Sequence, residues 1–139
     1  MNERVTLKEA VRFHGHLGPY LVLGVLAGEF FLKKIKCRKH FRLKIKVQGV
    51  GKKPKSCLID GLQLSTGATY GKGNIQKLNG TIIRIEFYNQ LSKKRIILKL
   101  KDGLRQKLDA AKTHQDSEAL AKELYTTNYC KLFNLTPNT

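Results

Sequence analysis

Apolar and polar residues alternate along three segments of the chain, and this period of two predicts β-strands. In residues 41–48 an apolar side chain occupies every second position, with basic residues or glutamine between them, as in a strand with one buried face. Residues 81–89 and 95–101 show the same period, and a turn is predicted near Ser92 and Lys93. The pattern therefore predicts three half-buried strands, the last two joined by a turn.

A longer apolar segment predicts a helix over residues 19–34. Pro19 suits the first turn of a helix, and Gly18 before it is an acceptable N-cap. Gly24 and Gly28 are four residues apart, so one face of this helix presents almost bare backbone. We expect this face to pack closely against another helix or a second copy of the chain.

Shorter helical patterns lie on both sides of these segments. Residues 7–13 predict an amphipathic helix, and residues 56–66 predict a second helix with a serine cap and a glycine after its end. After Asp102 the pattern predicts two more helices and then a short turn or tail at residues 129–135. Strands clustered between helices predict an α+β fold: an antiparallel sheet packed against helices in one domain spanning residues 1–139.

The charge of the chain is strongly positive and unevenly distributed. Its 139 residues include 27 Lys or Arg and 10 Asp or Glu, which gives a formal net charge of +17. Eleven basic residues lie between Glu29 and Asp60, where no acid occurs, and a second basic stretch covers residues 93–107. Such a field attracts nucleic acid, anionic membrane surfaces or acidic proteins. A general adaptation of composition explains the charge equally well.

The strand period turns the net charge into a prediction about one surface. If the strands share a sheet, its outer face carries Arg42, Lys44, Lys46, Arg84, Arg95, Lys99 and Lys101. A polyanion such as nucleic acid is the partner that this basic face predicts, and its binding would weaken strongly with salt. Aromatic residues on this face are few, Tyr88 being one, so stacking on single-stranded bases is not expected.

Cysteine usage and hydropathy predict a soluble cytoplasmic protein. Cys37, Cys57 and Cys130 are odd in number and form no Cys-x-x-Cys pair, which predicts reduced thiols rather than a disulfide framework or a zinc ribbon. The N-terminus lacks the pattern of a secretory leader. The most apolar stretch, residues 17–32, is interrupted by Glu29 and three glycines, so no transmembrane segment is expected.

Two pairs of residues have side chains that can bind a metal. His14 and His16 are two apart just before a predicted helix N-terminus, and Cys57 and Asp60 share one face of the next predicted helix. Two imidazoles and a thiolate with one open position suit zinc or a similar divalent ion. At a helix N-terminus Cys57 is expected to ionise more easily than an average buried thiol. The alternative is that these histidines and Cys57 are structural side chains.

Residues 71–74, Gly-Lys-Gly-Asn, predict a flexible turn that carries one cation. Backbone N–H groups in such a turn can bind an anion, and Lys72 would add charge. The spacing differs from that of a phosphate-binding P-loop, so a plain turn is the simpler interpretation. The sequence contains no paired carboxylates, no Gly-x-Ser-x-Gly and no dinucleotide fingerprint, and it therefore identifies no catalytic residue.

Taken together, two signatures in this chain resemble those of the family named for the E subunit of formylmethanofuran dehydrogenase. The first, approximately Phe-His-Gly-His-x-Cys-Pro-Gly in that family, corresponds to residues 13–20. The second, approximately Cys-x-x-Asp-x-x-Gln-x-x-Thr-Gly-Cys-Thr-x-Gly-Lys-Gly-Asn, corresponds to residues 57–74. The resemblance extends over about residues 7–135. Gly18 and Ala68 stand where the family has cysteines, which excludes dithiol chemistry at these positions.

The resemblance implies an α+β core, a homodimer and a metal-associated pocket formed by both signatures. The implied ligands of a divalent transition metal, with zinc as the first choice, are His14, His16 and Cys57. The implied pocket residues are Asp60, Gln63, Thr66, Lys72 and Asn74. The added C-terminal zinc finger of some family members needs cysteine pairs, which this sequence lacks.

The resemblance also implies a class of function. It predicts a metal-binding dimer that is accessory to, or acts in, one-carbon or molybdenum and tungsten enzyme metabolism, with a small molecule as substrate. Two alternatives stay open from the sequence. The basic face predicts a polyanion-binding module, and the loss of two signature cysteines predicts a non-catalytic structural protein of an assembly.

Overall fold

The computed structural model describes residues 4–138, which form five α-helices and a five-stranded sheet. In chain order the elements are α1 (Leu7–His14), α2 (Pro19–Lys34), β1 (Leu43–Gln48), α3 (Cys57–Thr66), β2 (Ile75–Leu78), β3 (Arg84–Asn89), β4 (Arg95–Leu100), α4 (Asp102–Ala110), α5 (His114–Tyr125) and β5 (Phe133–Asn138). A short 3-10 turn precedes β5. The predicted α+β class is confirmed.

The sheet has the strand order β2-β1-β3-β4-β5. Three of its four strand pairs are antiparallel, as predicted, and β1 pairs with β2 in parallel. The strands β2 and β5 were not predicted. β2 has only four residues and little alternation, and β5 contains Pro137, which lies on an edge strand, where a missing N–H is tolerated.

Helices cover one face of the sheet, and the main core lies between the two layers. Leu43, Ile45 and Val47 of β1 are buried on this face together with apolar residues of β3 and β4. The helix α2 supplies the opposing surface, where Phe31 stacks on Phe87 with ring centroids 4.7 Å apart. Because α2 is buried on most sides, it forms the centre of the helical layer.

The glycines of α2 pack against α3, in agreement with the close packing that their spacing predicts. A Cβ on Gly24 would collide with the carbonyl oxygen of Leu58, and a Cβ on Gly61 would collide with that of Leu21. The two helix backbones therefore touch where the glycines meet. This contact fixes α3, which carries much of the second sequence signature, against α2, whose first residues belong to the first signature.

The opposite face of the sheet carries the predicted basic residues. Strand register places Tyr88 between Lys44 and Arg95, and it places Arg84 beside Lys99. The side chains of Lys44, Lys46 and Lys99 are exposed, whereas those of Arg84 and Arg95 are half-buried. Arg42 directly precedes β1, and Lys101 directly follows β4. Glu86 pairs with Lys46 and is an acid within this basic face.

Between residues 4 and 138, no single helix has the length and apolarity needed to cross a membrane. Only α1 and α2 taken together meet these criteria, and they are bent by 119° relative to each other. Eleven of the 16 residues of α2 are buried inside the protein.

Candidate functional site

The first signature meets the second through a contact between a histidine and a carboxylate. His14 is the last residue of α1, and Asp60 lies in the first turn of α3. Their side chains are joined by a contact of 2.5 Å between Nδ1 of His14 and Oδ2 of Asp60. The His14 side chain is 10% exposed and that of Asp60 is 39% exposed. Asp60 therefore fixes the orientation of a nearly buried imidazole.

The second ring nitrogen of His14 has no partner among the residues that the structure describes. This Nε2 atom is buried and makes no hydrogen bond. Most buried polar atoms in proteins are hydrogen-bonded, and exceptions often belong to functional sites. Metal-binding histidines commonly donate one ring N–H to a carboxylate and bind the metal through the other nitrogen. His14 has both features of such a ligand.

His16 lies beside His14, and a third histidine, His114, lies beside His16. The ring of His16 packs edge-to-face against that of His14, with centroids 4.9 Å apart. His114, the first residue of α5, approaches His16, with ring centroids 6.2 Å apart. A Cβ at Gly18 would lie 3.3 Å from Cε1 of His16. Sequence reasoning missed His114 because α5 reaches the site only through the packing of the helices.

The third predicted ligand, Cys57, lies in the first turn of α3 and is half-buried against the core. Burial raises the pKa of the Cys57 thiol, the nearby Asp60 carboxylate raises it further, and Lys53 offsets these effects only in part. The helix N-terminus does not reverse this balance, since the first N–H groups of α3 already donate to carbonyls of the preceding turn. In the metal-free protein Cys57 is therefore a protonated thiol near neutral pH.

Among residues 4–138, no three His, Cys, Asp or Glu side chains already surround one point where a metal could bind. The donor chemistry nevertheless fits a borderline metal such as zinc, because imidazole and thiolate are its usual ligands. The unpartnered Nε2 of His14 supplies one donor in place. The exposed His16 must turn its side chain to supply another.

The predicted pocket residues of the second signature bind mainly to neighbouring groups of their own loop. Asn74 accepts from the Thr69 N–H at 2.9 Å and donates to the His40 carbonyl at 2.7 Å. Gln63 accepts from the Tyr70 N–H at 2.9 Å. Thr66 donates to the Leu62 carbonyl at 2.6 Å and accepts from the Ala68 N–H. Lys72 donates to the Thr69 hydroxyl through both its N–H and its side chain.

These bonds leave the Gly-Lys-Gly turn with little capacity to bind an anion through its backbone. The N–H groups of residues 69, 70, 72 and 73 all donate within the protein. A surface groove of about 540 Å³ beside α1 is mainly apolar and is lined by none of the predicted ligands. The chemistry therefore concentrates at the histidines and Asp60.

The sequence profile described as "FmdE, Molybdenum formylmethanofuran dehydrogenase operon" matches residues 13–137. This match spans both signatures and nearly the whole chain. The chain belongs to the FmdE family. No curated protein matches the sequence.

A solved structure has the same fold as this FmdE chain. It is the crystal structure of a tungsten formylmethanofuran dehydrogenase FmdE-like protein from Syntrophus aciditrophicus, with a TM-score of 0.65 and 20% sequence identity. The similarity covers 95% of this chain and 69% of the other. At this identity the comparison establishes the fold, while the site must be argued from the residues of this chain.

Proposed function

We propose that this FmdE chain binds a divalent transition metal, zinc being the first choice, through His14, His16 and Cys57. The observation that supports this most strongly is His14, whose Nδ1 contacts Asp60 while its buried Nε2 has no partner among residues 4–138. A divalent ion held here would act as a Lewis acid if a coordination position stays open and as a structural cross-link if none does.

Family membership supports a metabolic context for the proposed metal site. The family description refers to the molybdenum formylmethanofuran dehydrogenase operon. We therefore propose a role accessory to, or within, one-carbon or molybdenum and tungsten enzyme metabolism, with a small molecule as substrate. Dimerisation is a further part of this proposal, and sedimentation equilibrium tests it.

Metal analysis of protein purified without added metal tests the proposal. We expect roughly stoichiometric zinc, and a competing chelator should show affinity reduced by about 10- to 100-fold in Asp60→Asn, because carboxylates that orient a metal-binding histidine contribute about this much. Cys57→Ser should remove the thiolate charge-transfer band of the cobalt-substituted protein. His40→Ala is the matched control, since His40 lies in the loop against Gly67. Folded protein that binds neither zinc nor cobalt would contradict the proposal.

A second candidate function uses the opposite face of the sheet. The observation that favours it is the strand register, which collects Lys44, Lys46, Arg84, Arg95 and Lys99 on one face. Arg95 also lies over the Tyr88 ring, 4.9 Å from its centroid. We propose that this face binds a polyanion such as nucleic acid, with affinity that falls steeply as salt rises. Binding to duplex DNA that is unchanged in Lys44→Glu/Lys46→Glu would contradict this candidate.

A further inference from the structure

Three histidines from two distant parts of the chain lie close together in the helical layer, with His16 beside both His14 and His114. His14 ends α1, His16 lies in the turn before α2, and His114 begins α5. The Thr113 side chain accepts from the Asp116 N–H at 3.0 Å and caps α5, which fixes the position of the helix end. His114 is therefore held beside His16 by helix packing and by a cap that does not involve its own side chain.

The separation of the His14 and His16 rings suits a shared metal ion, whereas the longer separation of His16 and His114 requires side-chain rotation. Two imidazoles bound to one tetrahedral zinc at about 2.0–2.1 Å have ring centroids roughly 5 Å apart. The observed separations are 4.9 Å for His14 and His16 and 6.2 Å for His16 and His114. His16 and His114 are exposed, so rotation about their side-chain bonds can bring their nitrogens toward a common point. His14 does not have to break a hydrogen bond to bind the ion, because its buried Nε2 has no partner among the described residues.

We infer that His114 is a ligand of the ion that binds at His14 and His16. This inference rests on the proposed metal site and adds to it a donor from α5. With Cys57 the proposed set has four protein donors, the number that a tetrahedral zinc ion binds. The ion would join the end of α1, the turn before α2, the start of α3 and the start of α5.

The test compares metal affinity in His114→Ala with that of the full-length wild-type chain, using zinc competition and cobalt titration. We expect affinity to fall by at least about 100-fold, more than the loss of a residue that only orients a ligand costs. Chelation should lower the melting temperature of the wild type and should have little further effect on His114→Ala. The variant keeps the Thr113 cap and replaces one residue at a helix end with alanine, a good helix former, so it should fold.

A second variant separates ligation from a merely structural role. His114→Cys should restore most of the metal affinity, because a thiolate can replace an imidazole on zinc or cobalt. It should also strengthen the thiolate-to-cobalt charge-transfer band. His40→Ala is again the matched control and should bind metal like the wild type.

The outcomes distinguish this inference from the proposed function. Wild-type protein that binds metal, together with unchanged affinity in His114→Ala, would overturn the role of His114 and leave the proposed site intact. Loss of affinity in His114→Ala without rescue by His114→Cys would also count against direct ligation. Wild-type protein that binds no metal would overturn both.

Discussion

The histidine site and the loop of residues 67–74 lie at opposite ends of α3, and their polar atoms are in opposite states. At the histidine site the Nε2 atom of His14 is buried and has no hydrogen-bond partner in the part of the chain that the structure describes. In the loop, the side chains of Asn74 and Thr69 accept hydrogen bonds from backbone N–H groups, and the Tyr70 N–H donates to Gln63 of α3. The first arrangement leaves a ring nitrogen available to bind a metal. In the second, the hydrogen bonds stabilise the conformation of the loop.

The two signatures therefore differ in the hydrogen bonding of their polar groups. A loop with Lys and Gly looks like an anion site, but its N–H groups can bind an anion only if they are free. Here those of residues 69, 70, 72 and 73 donate within the protein. Among the described residues the Nε2 atom of His14 has no hydrogen-bond partner. We therefore propose that a metal binds at the histidine site and not in the loop.

The largest expected effect comes from breaking the support that both regions share. Gly61→Ala places a Cβ against the carbonyl oxygen of Leu21, which is rigid backbone of α2. We expect a loss of at least about 3 kcal/mol in unfolding free energy, the upper end for overpacking in a core, and loss of metal affinity along with it. Urea denaturation measures the effect. The matched control is Gly103→Ala, because a Cβ at Gly103 meets open space.

Asn74→Ala should damage the loop while leaving the histidine site unchanged. The Asn74 side chain joins Thr69 to His40 through two hydrogen bonds, each worth about 1 kcal/mol in net stability. We expect a loss of about 1–3 kcal/mol in urea denaturation and the same zinc affinity as the wild type. Replacement of the exposed Asn79 by alanine should cost less than about 0.5 kcal/mol. Weakened zinc binding in Asn74→Ala would make the loop part of the metal site.

The smallest effect is expected for Lys72→Ala. The Lys72 side chain is exposed, contacts the Thr69 hydroxyl at 3.2 Å and lies 5.4 Å from the centre of the Phe41 ring. Such exposed contacts contribute roughly 0.5 kcal/mol or less. We expect unchanged zinc affinity and nearly unchanged stability, measured in the same titration and urea experiments. A marked fall in zinc affinity would mean that the loop contributes to metal binding, contrary to this prediction.

Much of the fold could be predicted because its patterns are local. The bounds of α2, with Gly18 as cap and Pro19 in the first turn, are those that the sequence predicts. The periods of β1, β3 and β4 also place the basic residues on one face. By contrast, β2 is too short to show a period, and β5 contains Pro137 in a six-residue edge strand. These strands form because neighbouring strands supply hydrogen-bond partners.

By itself the sequence determined the family, the α+β class and two histidines beside a helix N-terminus, because these depend on residue type and short spacing. Only the tertiary structure decided which polar atoms of the described residues lack a hydrogen-bond partner. Packing of α1 on α3 places Asp60 against Nδ1 of His14, and packing of α5 on α2 places His114 beside His16. Packing also buries Cys57 beside Asp60, which raises the pKa of its thiol. A side chain's hydrogen-bond partners and its desolvation depend on contacts between residues far apart in the chain, which local spacing does not encode.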